Sequence, residues 1–253
     1  MSLELQALKA GYGPERGLAR DVIPHIDITV EAGELLVVAG PNGSGKTTLL
    51  KTAAGLLRPL SGRVMVSGKD LHSLGIRERS GLTAFLFQLR DSPWPFTVRE
   101  TIAQGCYARQ GWLGSQTRED KQAVEGALEK AHLLDLAERP ITELSGGELQ
   151  RVYIARCIAQ GAAFLLLDEP ENNLDPKYAF MVMNLCAALV KEGRGAMISL
   201  HNLRLASRFA HRVALLGPQG NLIALGPPHE VLTEETLGRA YDLSSDLVRE
   251  LIL

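Results

Sequence analysis

Several features are scarce in this chain, and each scarcity argues against a class of protein. The 253 residues include only three cysteines, Cys106, Cys157 and Cys186, which show no C-x-x-C pairing and lie inside apolar patterns. This spacing argues against a disulfide framework and against a metal cluster. No apolar run approaches the roughly 20 residues that span a bilayer, and the first residues lack a charged and then apolar leader. We therefore expect a soluble protein of a reducing compartment that is not exported.

An excess of charge of either sign is also missing. The chain has 27 Lys and Arg against 29 Asp and Glu, so its formal net charge is −2. A nearly neutral chain has no global field to hold a polyanion, and nucleic acid is therefore not an expected partner. A chain of this length can bury one sizeable core with an inserted subdomain, so we expect one folding unit.

The most informative stretch is the phosphate loop, residues 40–47, which fits the spacing G-x-x-x-x-G-K-[ST]. An apolar run of strand length precedes it, and apolar residues at helical spacing follow it. Glycines let backbone N–H groups turn inward, while the following helix directs its positive end at an anion. Lys46 then contacts the β- and γ-phosphates of a nucleotide, and the Thr47 hydroxyl binds Mg²⁺. An ordinary glycine-rich turn is the alternative.

Polar side chains follow three other stretches that we predict to be buried strands. They are Gln88 after residues 84–87, Asp168 and Glu169 after residues 164–167, and His201 after residues 196–200. The carboxyl ends of parallel strands face the ligand crevice in α/β sheets, so we expect a shared site. The adjacent carboxylates suit a Mg²⁺-bound nucleotide, which needs one acid for the metal and another beside the attacking water.

Two other features each allow two interpretations. Tyr12 lies among paired strands predicted within residues 1–33, where its ring either stacks on a base or closes a β-turn. Ser145 opens a helix with the sequence Ser-Gly-Gly-Glu, which is either a second anion site or a simple helix cap. The segment 89–160 reads as a mainly helical insertion without strands. Phe96 in its first loop belongs either to a partner surface or to the domain's own packing.

Taken together, these residues resemble the ATP-binding-cassette (ABC) family over nearly the whole chain. The resemblance implies an α/β fold: a RecA-like P-loop NTPase core with a mainly parallel sheet, an N-terminal antiparallel β region and an inserted helical subdomain. It implies one ABC ATPase domain over residues 1–253. Residues 1–88 and 161–253 then form the nucleotide-binding core, and residues 89–160 form the helical subdomain.

The resemblance also implies a role for each motif residue. Residues that bind ATP are Tyr12, Gly40, Pro41, Asn42, Gly43, Ser44, Gly45, Lys46, Thr47 and Thr48. Residues that bind Mg²⁺ are Thr47, Gln88 and Asp168. The catalytic set is Glu169 as general base, His201 in the switch position, Gln88 of the lid loop and Lys46. Asp175 closes the D-loop, and the signature turn, which contacts ATP across a dimer, is Leu144, Ser145, Gly146, Gly147 and Glu148.

In such a protein, two ATPase subunits, here a homodimer, sandwich two ATP molecules head to tail, and hydrolysis reopens the closed dimer. Within the family, the chain looks most like ATPase subunits of bacterial importers for iron-siderophore, haem or cobalamin complexes. That narrower likeness rests on residues 96–100, 107–120 and 228–233. It implies a peripheral subunit at the cytoplasmic face of the inner membrane. The subunit would bind permease subunits through residues 89–120 and act indirectly with a substrate-binding protein.

Two alternatives and three departures from the family pattern accompany this interpretation. A free-standing cassette ATPase could instead remodel a soluble protein or nucleic-acid complex, and a non-hydrolysing nucleotide sensor is a third class. Glu171 and Asn172 stand where Thr and a small residue are common in the family, and Glu148 replaces a frequent Gln. These departures leave the catalytic set intact but affect the D-loop and the signature turn.

Overall fold

Two β-sheets and the helices packed on them make up the fold, in a computed structural model that describes residues 1–13, 20–87, 95–110, 116–244 and 246–248. The strands are β1 (Ser2–Tyr12), β2 (Arg20–Glu31), β3 (Leu35–Ala39), β4 (Ser61–Val66), β5 (Lys69–Asp70), β6 (Thr83–Leu86), β7 (Phe164–Asp168), β8 (Gly195–Ser199), β9 (Arg212–Leu216) and β10 (Leu222–Gly226). The α-helices are α1 (Lys46–Ala53), α2 (Ile76–Leu82), α3 (Val98–Ala103), α4 (Tyr107–Gln110), α5 (Arg118–Lys130), α6 (Gly146–Gln160), α7 (Pro176–Lys191), α8 (Leu203–Phe209), α9 (Pro228–Val231) and α10 (Glu234–Tyr241).

The larger sheet has the strand order β10-β9-β3-β8-β7-β6. Strands β9, β3, β8, β7 and β6 run parallel, and β10 joins the edge antiparallel to β9. Its central strands are apolar at nearly every position because both faces of the sheet are covered. In β3, Leu35 and Val37 face the core formed with α3, α6 and α7, whereas Leu36 and Val38 face the core formed with the smaller sheet and α1.

The smaller sheet is antiparallel and has the order β2-β1-β4-β5. Strand β1 lies between β2 and β4, and alternate apolar residues of all three strands, such as Leu3, Ile28 and Val64, are buried against the larger sheet. The predicted α/β class, with a mainly parallel sheet and an N-terminal antiparallel region, is confirmed.

The segment between β6 and β7 contains helices α3, α4, α5 and α6 among its described residues. Val98 and Ile102 of α3, Val124 and Leu128 of α5 and Val152 of α6 are buried in one core that continues onto the larger sheet. Capping boxes at Thr97 and Thr117 start α3 and α5. In the part of the chain that the structure describes, no helix is both long and apolar enough to cross a membrane.

The predicted strand at residues 84–87 is wrong at its end. Pairing with β7 stops at Leu86, which lies opposite Leu167, and β6 ends there. Phe87 lies beyond the sheet, where its ring is exposed and packs edge to face on Phe85 at 4.8 Å between centroids. Periodicity does not show where the neighbouring strand ends, so the sequence pattern alone places the apolar Phe87 in the strand.

Candidate nucleotide-binding and hydrolysis site

The phosphate loop joins β3 to α1 in a conformation that only glycine adopts freely. Gly45, the residue before α1, has φ +93°, and a Cβ atom there would lie 2.7 Å from Val22 and 2.8 Å from Ile23. No side chain caps α1, so the N–H groups of its first turn are available to an anion. The hydroxyl of Ser44 is buried and has no hydrogen-bond partner among the described residues. A buried polar group of this kind calls for a ligand, and a phosphate oxygen would supply one.

Lys46 places a cation in this loop. The side chain is buried, and its Nζ donates to the carbonyl oxygens of Gly40 at 2.9 Å and Pro41 at 3.1 Å. Burial lowers the pKa of Lys46, while the acids at the end of β7 and just after it oppose that shift. The ammonium therefore lies between the loop backbone and a cluster of carboxylates.

A cavity of about 230 Å³ opens over the phosphate loop. Its lining residues are Tyr12, Val22, Asn42, Gly43, Gly45, Lys46, Thr47, Thr48 and Glu169. Tyr12 ends β1, and its hydroxyl lies 3.5 Å from the Thr48 hydroxyl, so the ring stands at the edge of this cavity. An aromatic ring, the phosphate loop and the predicted base thus share one opening.

The two acids predicted from the sequence stand at the end of β7. Asp168 is buried and lies opposite Ser199 in the register of β7 and β8. The Ser199 hydroxyl donates to Oδ1 of Asp168 at 2.7 Å and accepts a hydrogen bond from the backbone N–H of Glu169 at 2.9 Å. Glu169 has φ +49°, a left-handed conformation that costs energy in a residue with a side chain.

His201 approaches Glu169 from the neighbouring strand. Nε2 of His201 lies 2.5 Å from Oε1 of Glu169, and the amide of Asn172 donates to Oε2 of Glu169 at 3.4 Å. The backbone N–H of His201 donates to Oε1 of Glu171 at 2.8 Å. Burial raises the pKa of Glu171, and the N–H of His201 opposes that shift. The predicted base and the predicted switch histidine are therefore in direct contact.

The signature turn lies outside the cavity described above. Ser145 caps α6 and is exposed, and its hydroxyl and backbone N–H both donate to Oε2 of Glu148 at 2.8 Å. These bonds lower the pKa of Glu148. Leu144 packs against the core, Gly146 is exposed, and Gly147 lies under the ring of Tyr178. Among the described residues, none of the signature turn lines the cavity over the phosphate loop.

The remaining predicted residues have simpler positions. Asp175 caps α7, and its Oδ1 accepts a hydrogen bond from the Tyr178 N–H at 3.1 Å. Gln88 lies outside the described residues. The roles assigned to all of these residues stay predictions, although the positions of Lys46, Asp168, Glu169 and His201 fit a site at the carboxyl ends of β3, β7 and β8.

Sequence reasoning missed two residues of this site. Ser199 joins both acids, and its only signal was a polar residue within an otherwise apolar strand. Tyr241 on α10 is partly buried. Burial raises the pKa of its hydroxyl, and the backbone N–H of Gly40 opposes that shift. No spacing in the sequence relates Tyr241 to the phosphate loop.

Comparison with known proteins gives three independent results. A family model described as ABC transporter matches residues 23–172. The iron(3+)-hydroxamate import ATP-binding protein FhuC of Bacillus subtilis is 34% identical over 250 residues, which are 98% of this chain and 91% of that protein. The hemin import ATP-binding protein HmuV of Streptomyces coelicolor is 39% identical over 224 residues, 88% of this chain and 79% of that protein.

Solved structures agree with the family match. A chain from an ABC transporter of the metal-chelate type, in an inward-facing conformation, has a TM-score of 0.81 at 27% identity and covers 96% of this chain and 89% of its own. The ATP-binding cassette MJ0796, as a dimer with ADP and Pi, has a TM-score of 0.76 at 25% identity over 89% of this chain and 98% of its own. The resemblance predicted from the motifs is thereby confirmed. This chain belongs to the ABC transporter family and is one of its ATP-binding, ATP-hydrolysing subunits.

Proposed function

We propose that this subunit supplies the energy for a bacterial importer of a metal chelate, either an iron-siderophore or a haem complex. The observation that carries the proposal is the contact between Glu169 and His201 beside the phosphate-loop cavity, which is the arrangement needed to hydrolyse a bound nucleotide. The choice of substrate class follows the names of the relatives FhuC and HmuV. Cobalamin, the third class that the sequence suggested, stays a prediction.

In this proposal the residues of the cavity bind and orient ATP. Tyr12 stacks on the adenine, and the N–H groups of the phosphate loop together with Lys46 hold the phosphates. Glu169 orients the attacking water and accepts its proton, while His201 contacts the γ-phosphate. The hydrogen bond between the two side chains keeps both beside the cavity, where the γ-phosphate would lie.

The oxygen groups of this site fit Mg²⁺. Thr47 lines the cavity with a hydroxyl, and the Ser199 bond fixes the orientation of the buried Asp168 carboxylate. Hard oxygen ligands of this kind suit Mg²⁺, and the prediction from the sequence adds Gln88. When bound, the ion neutralises negative charge on the β- and γ-phosphates.

We assign the signature turn to ATP held by a second copy of the chain. In support, Ser145 and Gly146 are exposed at the start of α6 and lie outside the subunit's own cavity. A helix start with an exposed hydroxyl suits an anion that arrives from a partner. Closure around shared ATP would then reverse when hydrolysis removes the γ-phosphate.

We assign permease binding to residues 89–120, at the start of the helical subdomain, and to the adjoining surface of the core around Ile76 and Phe87. Large apolar side chains are exposed around the start of this segment, at Ile76, Phe87, Phe96 and Tyr107. Helices α2 and α4, which carry Ile76 and Tyr107, contact each other. Exposed apolar surface of this kind marks an interaction site and supports binding to a permease. We place the bound subunit peripherally, on the cytoplasmic face of the membrane.

Two measurements test the proposal. Glu169→Gln should bind ATP but lower turnover at least about a hundredfold, because the general base is lost. Normal turnover in this variant would show that the base is assigned wrongly.

Purification of the tagged chain from solubilised membranes should also recover a multi-spanning membrane protein. Recovery only in complexes without such a protein would favour the alternative, an ATPase that remodels soluble assemblies.

A further inference from the structure

Glu171 departs from the family pattern and is bonded to His201 of the hydrolysis site. It follows β7 in the turn that leads to α7, and it is about nine-tenths buried, with 9% of its surface exposed. Its Oε1 accepts a hydrogen bond from the backbone N–H of His201 at 2.8 Å, across thirty residues of sequence. The carboxylate therefore joins the turn after β7 to the loop after β8.

This bond is one of two that link His201 to the turn after β7. Glu171 accepts the backbone N–H of His201, and Nε2 of the His201 imidazole is hydrogen-bonded to Oε1 of Glu169 at 2.5 Å. Glu169 and Glu171 are separated only by Pro170, whose fixed φ limits the movement of one acid relative to the other. The position of the histidine is thus set at two points, one on its backbone and one on its ring.

The second oxygen of Glu171 shows that packing alone does not account for this residue. Oε2 is buried and has no hydrogen-bond partner among the described residues. Burying a polar oxygen without a partner costs about 1–3 kcal/mol, and more when the group is charged. The bond that the carboxylate accepts from the His201 N–H offsets part of that cost, and the backbone of Asn202 also stabilises its charge.

We propose that Glu171 is a positioning residue for hydrolysis, which acts by fixing the backbone of His201 so that its imidazole stays between Glu169 and the γ-phosphate. This inference rests on the proposed function. The turn that begins at Glu171 ends at Asp175, which caps α7 and closes the predicted D-loop.

The first test compares two substitutions of similar size in the full-length chain. Glu171→Gln keeps an oxygen acceptor for the His201 N–H and should retain turnover within about threefold. Glu171→Met fills the same space without an acceptor and should lower kcat at least about tenfold, with the KM for ATP within about twofold. If Glu171→Met melts far below the parent, Glu171→Leu, which also lacks an acceptor, takes its place with the same expectation. Equal kcat in the Gln variant and the folded Met or Leu variant would overturn the proposal.

The second test asks whether Glu171 acts through His201. Single-turnover hydrolysis is measured for His201→Ala and for His201→Ala combined with Glu171→Met. If Glu171 works only by placing the imidazole, the second substitution should change the residual rate less than about twofold. A further tenfold loss in the double variant would overturn the proposal.

Two controls distinguish the positioning of His201 from a general loss of stability, and this inference from the assignment of the general base. Glu34 also accepts a backbone N–H, from Glu31 at 2.8 Å, in a turn at the opposite end of β3. Glu34→Met should lower the melting temperature without changing kcat; a loss of kcat equal to that of Glu171→Met would show a merely structural effect. Glu169→Gln is assayed in parallel. If it is inactive and Glu171→Met is normal, only this inference fails, whereas normal turnover of Glu169→Gln shows that the general base of the proposed function is assigned wrongly.

Discussion

The Ser199 hydroxyl donates a hydrogen bond to Oδ1 of Asp168 over 2.7 Å, at the place where β7 and β8 end side by side. The Ser199 hydroxyl oxygen also accepts a hydrogen bond from the backbone N–H of Glu169 at 2.9 Å. One buried hydroxyl therefore orients the predicted metal carboxylate and supports the strained backbone of the predicted base. The site depends on Ser199 for its geometry, although Ser199 itself need not touch the nucleotide.

Ser199→Ala should weaken Mg²⁺ dependence and stability together. Loss of a bond to a charged group costs about 1.5–3 kcal/mol, and the N–H of Glu169 loses its acceptor as well. A freely rotating Asp168 should raise the Mg²⁺ concentration for half-maximal ATPase activity several-fold. Titration of activity with Mg²⁺ and thermal unfolding check the two effects.

Thr101→Val is the matched control for this variant. Thr101 is a buried hydroxyl that donates to the Thr97 carbonyl at 2.9 Å within α3, away from the acids. Its loss should lower the melting temperature without shifting the Mg²⁺ titration. An equal Mg²⁺ shift in both variants would mean that reduced stability, and not the orientation of Asp168, explains the result for Ser199.

Two glycines of the phosphate loop should differ in their tolerance of alanine. Gly43 and Gly45 both have positive φ, +79° and +93°, so each alanine variant carries about 1–2 kcal/mol of backbone strain. A Cβ on Gly43 meets no atom within 4 Å, whereas one on Gly45 would clash with Val22 and Ile23. Overpacking adds about 1–3 kcal/mol, so Gly45→Ala should be the less stable variant. Equal midpoints in urea unfolding would contradict this.

The order of the helices and strands could be predicted from the sequence because each element is determined by interactions between residues close together in the chain. The alternation of Leu3 and Leu5, the capping box at Thr97 and the glycines around Lys46 each act within a few residues. The links between elements could not be predicted. The bond from Ser199 to Asp168 depends on the register of β7 with β8, and the bond from Glu171 to His201 depends on where two loops meet.

The candidate site shows the same limit. Gln88, Glu169 and His201 were expected to meet because strand ends of a parallel sheet share an edge, and the structure brings Glu169 and His201 into contact. Ser199 was missed because a small polar residue inside an apolar strand has no local function. Only the neighbouring strand gives that hydroxyl its partners.

The three cysteines should resist alkylation in the folded chain. All three are buried, and burial raises the pKa of Cys157 to about 11 and that of Cys186 to about 12. Burial also raises the pKa of Cys106, against the effect of Arg109. Because the thiolate is the reactive form, raising the pKa lowers reactivity at pH 8, where about one thiol in a thousand is ionised at a pKa of about 11.

Mass spectrometry after iodoacetamide treatment checks this expectation. The native chain should stay largely unmodified at pH 8, and the denatured chain should gain three adducts. Nucleotide should not change the result, because the cysteines lie in the core. Rapid modification of the native chain at pH 8 would show that the core around these thiols opens readily.

Glu148 should weaken ATP-driven dimer closure through its charge. The bonds from Ser145 lower the pKa of Glu148, so the carboxylate stays ionised throughout the physiological range. In the proposed dimer, Ser145 contacts the phosphates of the partner's ATP, which places two negative charges near each other. Glu148→Gln removes one charge and preserves the helix cap, since glutamine also forms a capping box. The ATP concentration for half-maximal closure should then fall about two- to fivefold, because one exposed charge interaction changes the equilibrium by about that factor.

The measurement is the dimer fraction against ATP concentration, by analytical ultracentrifugation, with Glu169→Gln present in every chain to prevent hydrolysis. Glu143→Gln is the control, because Glu143 is an exposed acid nearby whose partner is Arg139. High salt should shrink the difference, since screening weakens exposed charges. Lowering the pH from 8 to 6 should preserve it, because a depressed pKa keeps Glu148 charged until the pH falls below its usual value of 4.5. If the Glu143 variant gained as much as the Glu148 variant, net charge and not contact with the shared phosphate would explain the effect.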